Sequence, residues 1–305
     1  MVIKNIVISG GGPSGCISYG AIKKLHEMKI WNHEELNAIY ASSIGGFIGF
    51  LISFGFNWNI IDDYIIERPW IKAFDTIKTD ILEIIYNNGI NGEDFFSICT
   101  KPILAAKELP YNITLKQLYD ITKIELCLTA TELNCFEGLS TELISYRTYP
   151  DMNINCALAC SCALPLIFKP IFHGDKCFID GGIVNNLPLK LCLDDSKCNQ
   201  NEIITFANKW NRKSLTINSN TSFIDYLRFI MLKIHREVDN TKVQPIIQNI
   251  IYLDIEDIVD ISTWYGVLKS KDKRRDLINR GEIAADCFIN SMFRRETVED
   301  SQFEV

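Results

Sequence analysis

The sequence predicts an α/β fold: three layers, α/β/α, around a mostly parallel central sheet. Two observations carry that expectation. Short β-rich apolar runs alternate with stretches of helical periodicity, as in crossover-connected parallel strands. The first two runs each end in a cluster of small residues that opens directly into a helix. There are no internal repeats and no low-complexity linker, so residues 1–293 read as one domain and 294–305 as a polar tail that frays.

Ile3–Ser9 is a short apolar strand, followed by a glycine loop at Gly10–Gly15. Ser14–Met28 follows with Ile17, Ala21, Ile22 and Leu25 on one helical face. Leu36–Ala41 reads as the second strand and Ile44–Ser53 as a very apolar helix. Asn57 to about Ala106 reads as mostly helical, anchored by Trp58, Trp70 and Phe74 and placed beside the site. Thr114–Ile121 carries a Thr-x-x-Gln capping box. Ile124–Thr131 and Leu143–Thr148 read as strands, and Asn155–Ala163 as a helix stopped by Pro165. Lys176–Asp180, Ile203–Asn208 and Asn249–Leu253 complete the expected strands; Ser222–Arg236 and Asp272–Met292 are the last helices. The weakest boundary is the polar stretch Lys209–Asn220.

Composition narrows the function. The chain has 305 residues, 47% hydrophobic and 23% charged, enough to bury a large core. A net charge of −7 argues against binding nucleic acid through phosphate neutralisation. The 11 cysteines are odd in number and lack disulfide or zinc spacing, so they read as reduced thiols in a reducing compartment. The N-terminus carries no signal peptide pattern, and the expected location is intracellular and cytoplasmic. Leu36–Ile61 has no charge but contains four Gly and three Ser, so it reads as strand, turn and buried helix rather than a membrane span. Lys271–Arg275 is a basic cluster at a helix start.

Gly10-Gly11-Gly12-Pro13-Ser14-Gly15 follows a strand and opens a helix, a formal G-x-G-x-x-G match. One reading is a dinucleotide loop for FAD or NAD, which needs a carboxylate at the end of the second strand. That strand ends in Ser42-Ser43. The other reading is an oxyanion hole, in which glycine N–H groups converge on one point. An unliganded tight turn is the third. Ala41-Ser42-Ser43-Ile44-Gly45-Gly46 resembles the G-x-S-x-G nucleophile elbow, with Ala41 in place of the first glycine; a helix N-cap is the competing explanation. Serine needs a base. Of four histidines, His26 and His33 read as solvated, His173 sits at a hairpin turn, and only His235 follows Asp180 in the Ser–Asp–His order of α/β-hydrolases. Asp180 ends an apolar strand before Gly181-Gly182, at the sheet edge where α/β sites lie.

Taken together, the glycine loop, the elbow, Asp180-Gly181-Gly182 with Val184-x-Asn186-x-Pro188, and the small-residue segment Ala159–Pro170 resemble the patatin-like phospholipase family over about residues 3–209. The resemblance implies the patatin-like version of the α/β/α fold and a serine–aspartate dyad. Ser43 would be the nucleophile, Asp180 the base, and Gly10, Gly11 and Gly12 the oxyanion loop. Gly15, Ala41, Ile44, Gly45, Gly181 and Gly182 would support the motifs. It implies a phospholipid or lysophospholipid substrate met at a membrane or micelle surface, no catalytic calcium and no cofactor. The family usually has Arg or Lys where Ser14 stands and Gly where Ala41 stands, and these two departures leave a catalytically weak lipid-binding module as the alternative. Exposed aromatics between Phe56 and Trp70, Trp58 and Trp70 above all, are the expected lipid contact.

Overall fold

The structure is a computed structural model that describes residues 2–75, 88–209, 217–221, 223–240, 245–255 and 261–302. A mixed sheet runs through it. Its strands are β1 (Asn5–Ile8), β2 (Ala38–Ser42), β3 (Glu125–Glu132), β4 (Ser140–Ile144), β5 (Ile171–His173), β6 (Lys176–Asp180), β7 (Ile203–Lys209) and β8 (Ile250–Asp254). The order is β5-β6-β3-β2-β1-β7-β8, with β4 paired to β3. β3, β2, β1, β7 and β8 run parallel; β4, β5 and β6 form an antiparallel extension.

The helices are α1 (Gly15–Glu27), α2 (Ile44–Ser53), α3 (Trp58–Glu67), α4 (Trp70–Asp75), α5 (Gly92–Ala106), α6 (Leu115–Thr122), α7 (Ile154–Cys162), α8 (Leu189–Ser196), α9 (Phe223–Asn240), α10 (Ile261–Lys269) and α11 (Lys271–Gln302). They cover both faces. Ile6, Ile8, Ile39, Ala41, Leu126, Leu128, Ile204 and Phe206 point into a large core with α1, α2, α5, α7 and α11. Val7, Tyr40 and Cys127 point the other way, onto a smaller core with Leu189 and Cys192 of α8. Alternate residues of β1, β2, β3 and β7 are thus buried on opposite sides, which is why these strands read as apolar runs, whereas β8 at the sheet edge alternates buried and exposed residues.

The capping box forms as read. The Gln117 N–H donates to Thr114 Oγ1 at 3.2 Å and the Thr114 N–H to Gln117 Oε1 at 2.9 Å. Other elements shift. The strand expected at Leu143–Thr148 is Ser140–Ile144, because Thr148 Oγ1 folds residues 145–148 into a turn. β5, α8 and α10 are elements beyond those the sequence pattern predicts. The final helix continues through Gln302, past the expected start of a frayed tail at Arg294. Part of the Lys209–Asn220 boundary (210–216) and the side chains of Phe74 and His235 lie outside the described residues. No helix among the described residues is long and apolar enough to cross a membrane. The 11 cysteines are all free thiols, seven of them buried.

α1 and α11 pack in direct backbone contact. A Cβ on Gly20 would strike the Ile278 carbonyl, and one on Gly281 the Ile17 carbonyl. The two backbones touch where both helices carry glycine. Arg274, at the start of α11, locks the adjoining ends. Its guanidinium is buried and donates to backbone carbonyls only: Ile66 (2.6 and 3.2 Å) and Arg68 (3.2 Å) at the end of α3, and Val267 (2.7 Å) and Leu268 (2.8 Å) in α10. Two helix C-termini supply the negative potential that a carboxylate would otherwise give. Lys271 and Arg275 of the same basic cluster instead pair with exposed Glu67.

Alanine in place of glycine inside a helix is ordinarily worth up to about 1 kcal/mol in stability. Gly20→Ala and Gly281→Ala are expected to do the reverse, each costing about 1–3 kcal/mol through forced separation of the helices. Urea unfolding monitored by circular dichroism reads the sign directly.

Candidate active site

β2 and β6 end against neighbouring residues of β3: Ser42 faces Thr129, and Asp180 faces Ala130. The two chains must therefore turn away at the same place. Ser43 does so at φ 51°, ψ −130°, a conformation rare for a residue with a side chain. It makes no side-chain cap to α2. Its hydroxyl instead turns to the neighbouring strand end, where Ser43 Oγ donates to Asp180 Oδ2 at 2.6 Å. After Asp180 the chain turns at Gly181, where a Cβ would collide with the Thr129 carbonyl.

The neighbours are small because the turn leaves no room. A Cβ on Gly10 would lie 2.9 Å from Ser43 Cβ, one on Gly15 2.7 Å from Ile44 Cγ1, and one on Gly45 2.8 Å from the Ile8 and Ser9 carbonyls. A Cβ on Gly182 would lie 2.9 Å from Asp180 Oδ1. Ala41 is fully buried and keeps a negative φ, so its methyl is accommodated where the motif has glycine. Ser161 of α7 braces the elbow from behind: the Ser43 N–H donates to Ser161 Oγ at 2.9 Å, and Ser161 Oγ donates to the Thr129 carbonyl at 2.7 Å. Its only sequence signal was the small-residue character of Ala159–Ala163.

Asp180 is 4% exposed. Burial pushes its carboxyl up to about 6, against the hydrogen bonds from Ser43 and from the Gly182 N–H at 2.7 Å. Desolvation outweighs both bonds. The group stays ionised at neutral pH yet is more basic than an ordinary aspartate.

The glycine loop lies beside the pair. Gly11 (φ 153°) and Gly12 (φ 57°) adopt left-handed backbone, and among the described residues no acceptor takes either N–H. Gly10 differs from expectation. Its N–H reaches the Asn186 carbonyl at 3.4 Å, so it forms wall rather than donor. A Cβ on Gly12 would lie 2.6 Å from the Trp264 ring of α10. Ser14 is buried, and its hydroxyl has no partner among the described residues.

A cavity of about 250 Å³ opens in front of Ser43 and Asp180. Phe47, Phe95, Phe96, Trp70 and Trp264 line it, with Leu164–Phe168 and Met231 and Leu232 of α9. Apart from Asp180, the charged group among these lining residues is Arg274, whose five N–H groups are already bonded to carbonyls. The chamber suits an acyl chain. The expected neighbourhood of the Asn57–Ala106 segment thus holds, but the role of its tryptophans does not. Trp70 is 8% exposed with its indole N–H on the Ile65 carbonyl, and Trp58 is packed against Tyr19, Trp31 and His26. They are wall and core, because the amphipathic helices carrying them turn inward. His26 is likewise half-buried, accepting the Trp58 indole N–H at 3.0 Å, and His33 Nε2 lies 3.0 Å from the Ser53 carbonyl. His173 is exposed on β5. The Asp180 carboxylate takes its hydrogen bonds from Ser43 and Gly182, with no imidazole between it and the serine.

Residues 128–193 match the family model of patatin-like phospholipases, a segment that holds Ser161, Asp180 and Asn186. The chain is 27% identical over 305 residues to a probable lipid hydrolase, 463L, of Invertebrate iridescent virus 6, spanning 97% of this chain and 92% of that one. It is 26% identical over 241 residues to an uncharacterised protein, R571, of Acanthamoeba polyphaga mimivirus (77% and 76%). Among solved structures, VipD from Legionella pneumophila is similar at 16% identity and a TM-score of 0.49, over 91% of this chain and 67% of that one.

Reactivity of Ser43 toward a fluorophosphonate is expected to fall as pH drops through about 6, since protonated Asp180 cannot take the serine proton. Labelling rates across pH 4–8 followed by mass spectrometry test it; a flat profile would separate Asp180 from Ser43 reactivity.

Proposed function

We propose that this patatin-like chain is a lipid acyl hydrolase that cleaves carboxylic ester bonds of phospholipids or lysophospholipids through an acyl-Ser43 intermediate. One observation carries the reading: a serine hydroxyl, strained outward at a strand–helix turn, donates to a buried aspartate at the wall of an apolar cavity.

The acyl chain lies along Phe47, Phe95 and Phe96, and the ester carbonyl carbon comes to Ser43 Oγ. As Oγ attacks, its proton passes to Asp180 Oδ2, and the negative charge moves to the former carbonyl oxygen. The N–H groups of Gly11 and Gly12 face that charge, and each such donor is worth about 3–4 kcal/mol in comparable sites. Collapse expels the lysolipid alkoxide, which takes the proton back from Asp180. A water molecule then repeats the sequence on the acyl-serine, with Asp180 as base, and releases the fatty acid.

The aspartate's raised proton affinity supports its part. A carboxylate of ordinary basicity is a poor match for a serine proton; one at about 6 is nearer to it without being protonated at neutral pH. The dinucleotide reading lacks support at the end of β2, where Ser42 and Ser43 stand in place of a ribose-binding carboxylate. The weak-enzyme reading rests on Ser14. Ala41 no longer favours it, since its methyl fits the strand.

Substrate reaches the cavity past α9. Met231 and Leu232 line the chamber, while Phe223, Tyr226 and Ile234 of the same helix are exposed. We assign the transient lipid contact to that stripe.

Ser43→Ala and Asp180→Asn are each expected to lower fatty-acid release from mixed phospholipids, without calcium, by at least about 10³-fold. Mass spectrometry of the released acid and residual lysolipid is the readout; wild-type protein with no release from any phospholipid, lysolipid or short ester overturns the reading. Phe223→Ser with Tyr226→Ser is expected to reduce turnover on vesicles while leaving hydrolysis of a soluble short-chain ester unchanged. Equal loss on both substrates would place the stripe's role elsewhere.

A further inference from the structure

We infer that Asn208, together with Asn186, is a positioning residue of the reaction: their side-chain amides hold the Gly10 carbonyl and so aim the Gly11 N–H into the cavity. The inference rests on the Ser43–Asp180 reading. Asn208 lies on β7, beside the end of β1, and neither the glycine loop nor the Asp-Gly-Gly segment contains it.

Asn208 Nδ2 donates to the Gly10 carbonyl, and Asn186 Nδ2 approaches the same oxygen at 3.4 Å. Asn186 also accepts the Gly10 N–H through its own carbonyl. Asn208 is itself fixed, its N–H donating to Ser9 Oγ at 3.3 Å, while Ser9 Oγ donates to the Phe206 carbonyl at 3.0 Å. The other amide atom, Asn208 Oδ1, is buried and has no hydrogen-bond partner among the described residues. What the side chain contributes is therefore a single donated bond.

That bond has a directional consequence. The described peptide bonds are all trans, so the C=O and N–H of the Gly10–Gly11 unit point in opposite directions. Holding the oxygen toward the two asparagines turns the Gly11 N–H away from them, and among the described residues that N–H has no acceptor. The hold is needed because glycine stands on both sides of the peptide. Glycine accepts backbone angles of either sign, so this unit can flip cheaply. A flipped peptide would present its carbonyl oxygen to an oxyanion instead of its N–H. The closeness of the clamp is visible at Gly11, where a Cβ would lie 2.7 Å from Asn208 Nδ2.

The test uses Asn208→Ala and the isosteric Asn208→Asp, with Ser43→Ala as control. Steady-state hydrolysis of a soluble short-chain ester, affinity for a trifluoromethyl ketone that forms a tetrahedral adduct with serine, and thermal melting are measured on each. Asn208→Ala is expected to lower kcat by about 10- to 100-fold with KM within about twofold, and to weaken the ketone by the same factor. Asn208→Asp is expected to lose more, because it faces one oxygen with another. A merely structural residue would lower the melting temperature without moving ketone affinity per folded molecule. If the alanine variant fails to fold, the aspartate variant decides alone. Either folded variant with kcat and ketone affinity within twofold of wild type overturns the inference and leaves the dyad standing. Full turnover in Ser43→Ala overturns both.

Discussion

A serine held at φ 51° at the end of a buried strand constrains everything around it. The turn brings the glycine loop, β3 and the start of α2 into close contact, so several positions around it must be glycine. Gly10 meets Ser43 itself, Gly15 meets Ile44, Gly45 meets the end of β1, and Gly181 meets Thr129. Strain of this kind costs on the order of 1–3 kcal/mol and persists only where the surroundings leave no alternative. Here Ser161 grips the backbone N–H, and Asp180 grips the hydroxyl. The glycines scattered through three motifs are therefore one feature seen from three directions.

The electrostatics follow from the same crowding. Asp180 is buried because β6 must end beside β2, and burial makes it a better base than a surface carboxylate. Among the described residues two donors compensate it. A third, such as a nearby guanidinium, would drive its proton affinity back down. The nearest buried guanidinium in the cavity wall, Arg274, is instead held against two helix ends, with all its donors occupied. The same wall thus carries a cation whose own donors are all taken.

The parallel strands, α1, α2 and the turn at Asp180 were legible because local pattern and tertiary role agree there. Ile17, Ala21, Ile22 and Leu25 are buried as their spacing required. Legibility failed where distant segments decide. Trp264 and Arg274 shape the cavity from residues far beyond the motifs, through an α1–α11 contact that depends on two glycines with no local meaning. Asn208 looked like the end of a strand. Trp58 and Trp70 misled for a different reason: an aromatic on an amphipathic helix serves equally well as surface contact or core, and periodicity does not say which way the helix faces. β4 slipped because the Thr148 hydroxyl, a side-chain effect, ends the strand region early.

The sheet order has a consequence in time. β1 lies between β2 and β7, and the loop that follows β1 is pinned by Asn186 and by Asn208 at the end of β7. On the ribosome, β1, β2 and the elbow emerge early, but β7, the second parallel neighbour of β1, begins only at Ile203. Until then β1 has an open edge and the glycine loop has nothing to set its peptide. Non-local closure of this kind slows folding and leaves apolar edges exposed meanwhile. The elbow is thus made long before the strand that completes its surroundings, and the glycine loop takes its final setting only after most of the chain has been made.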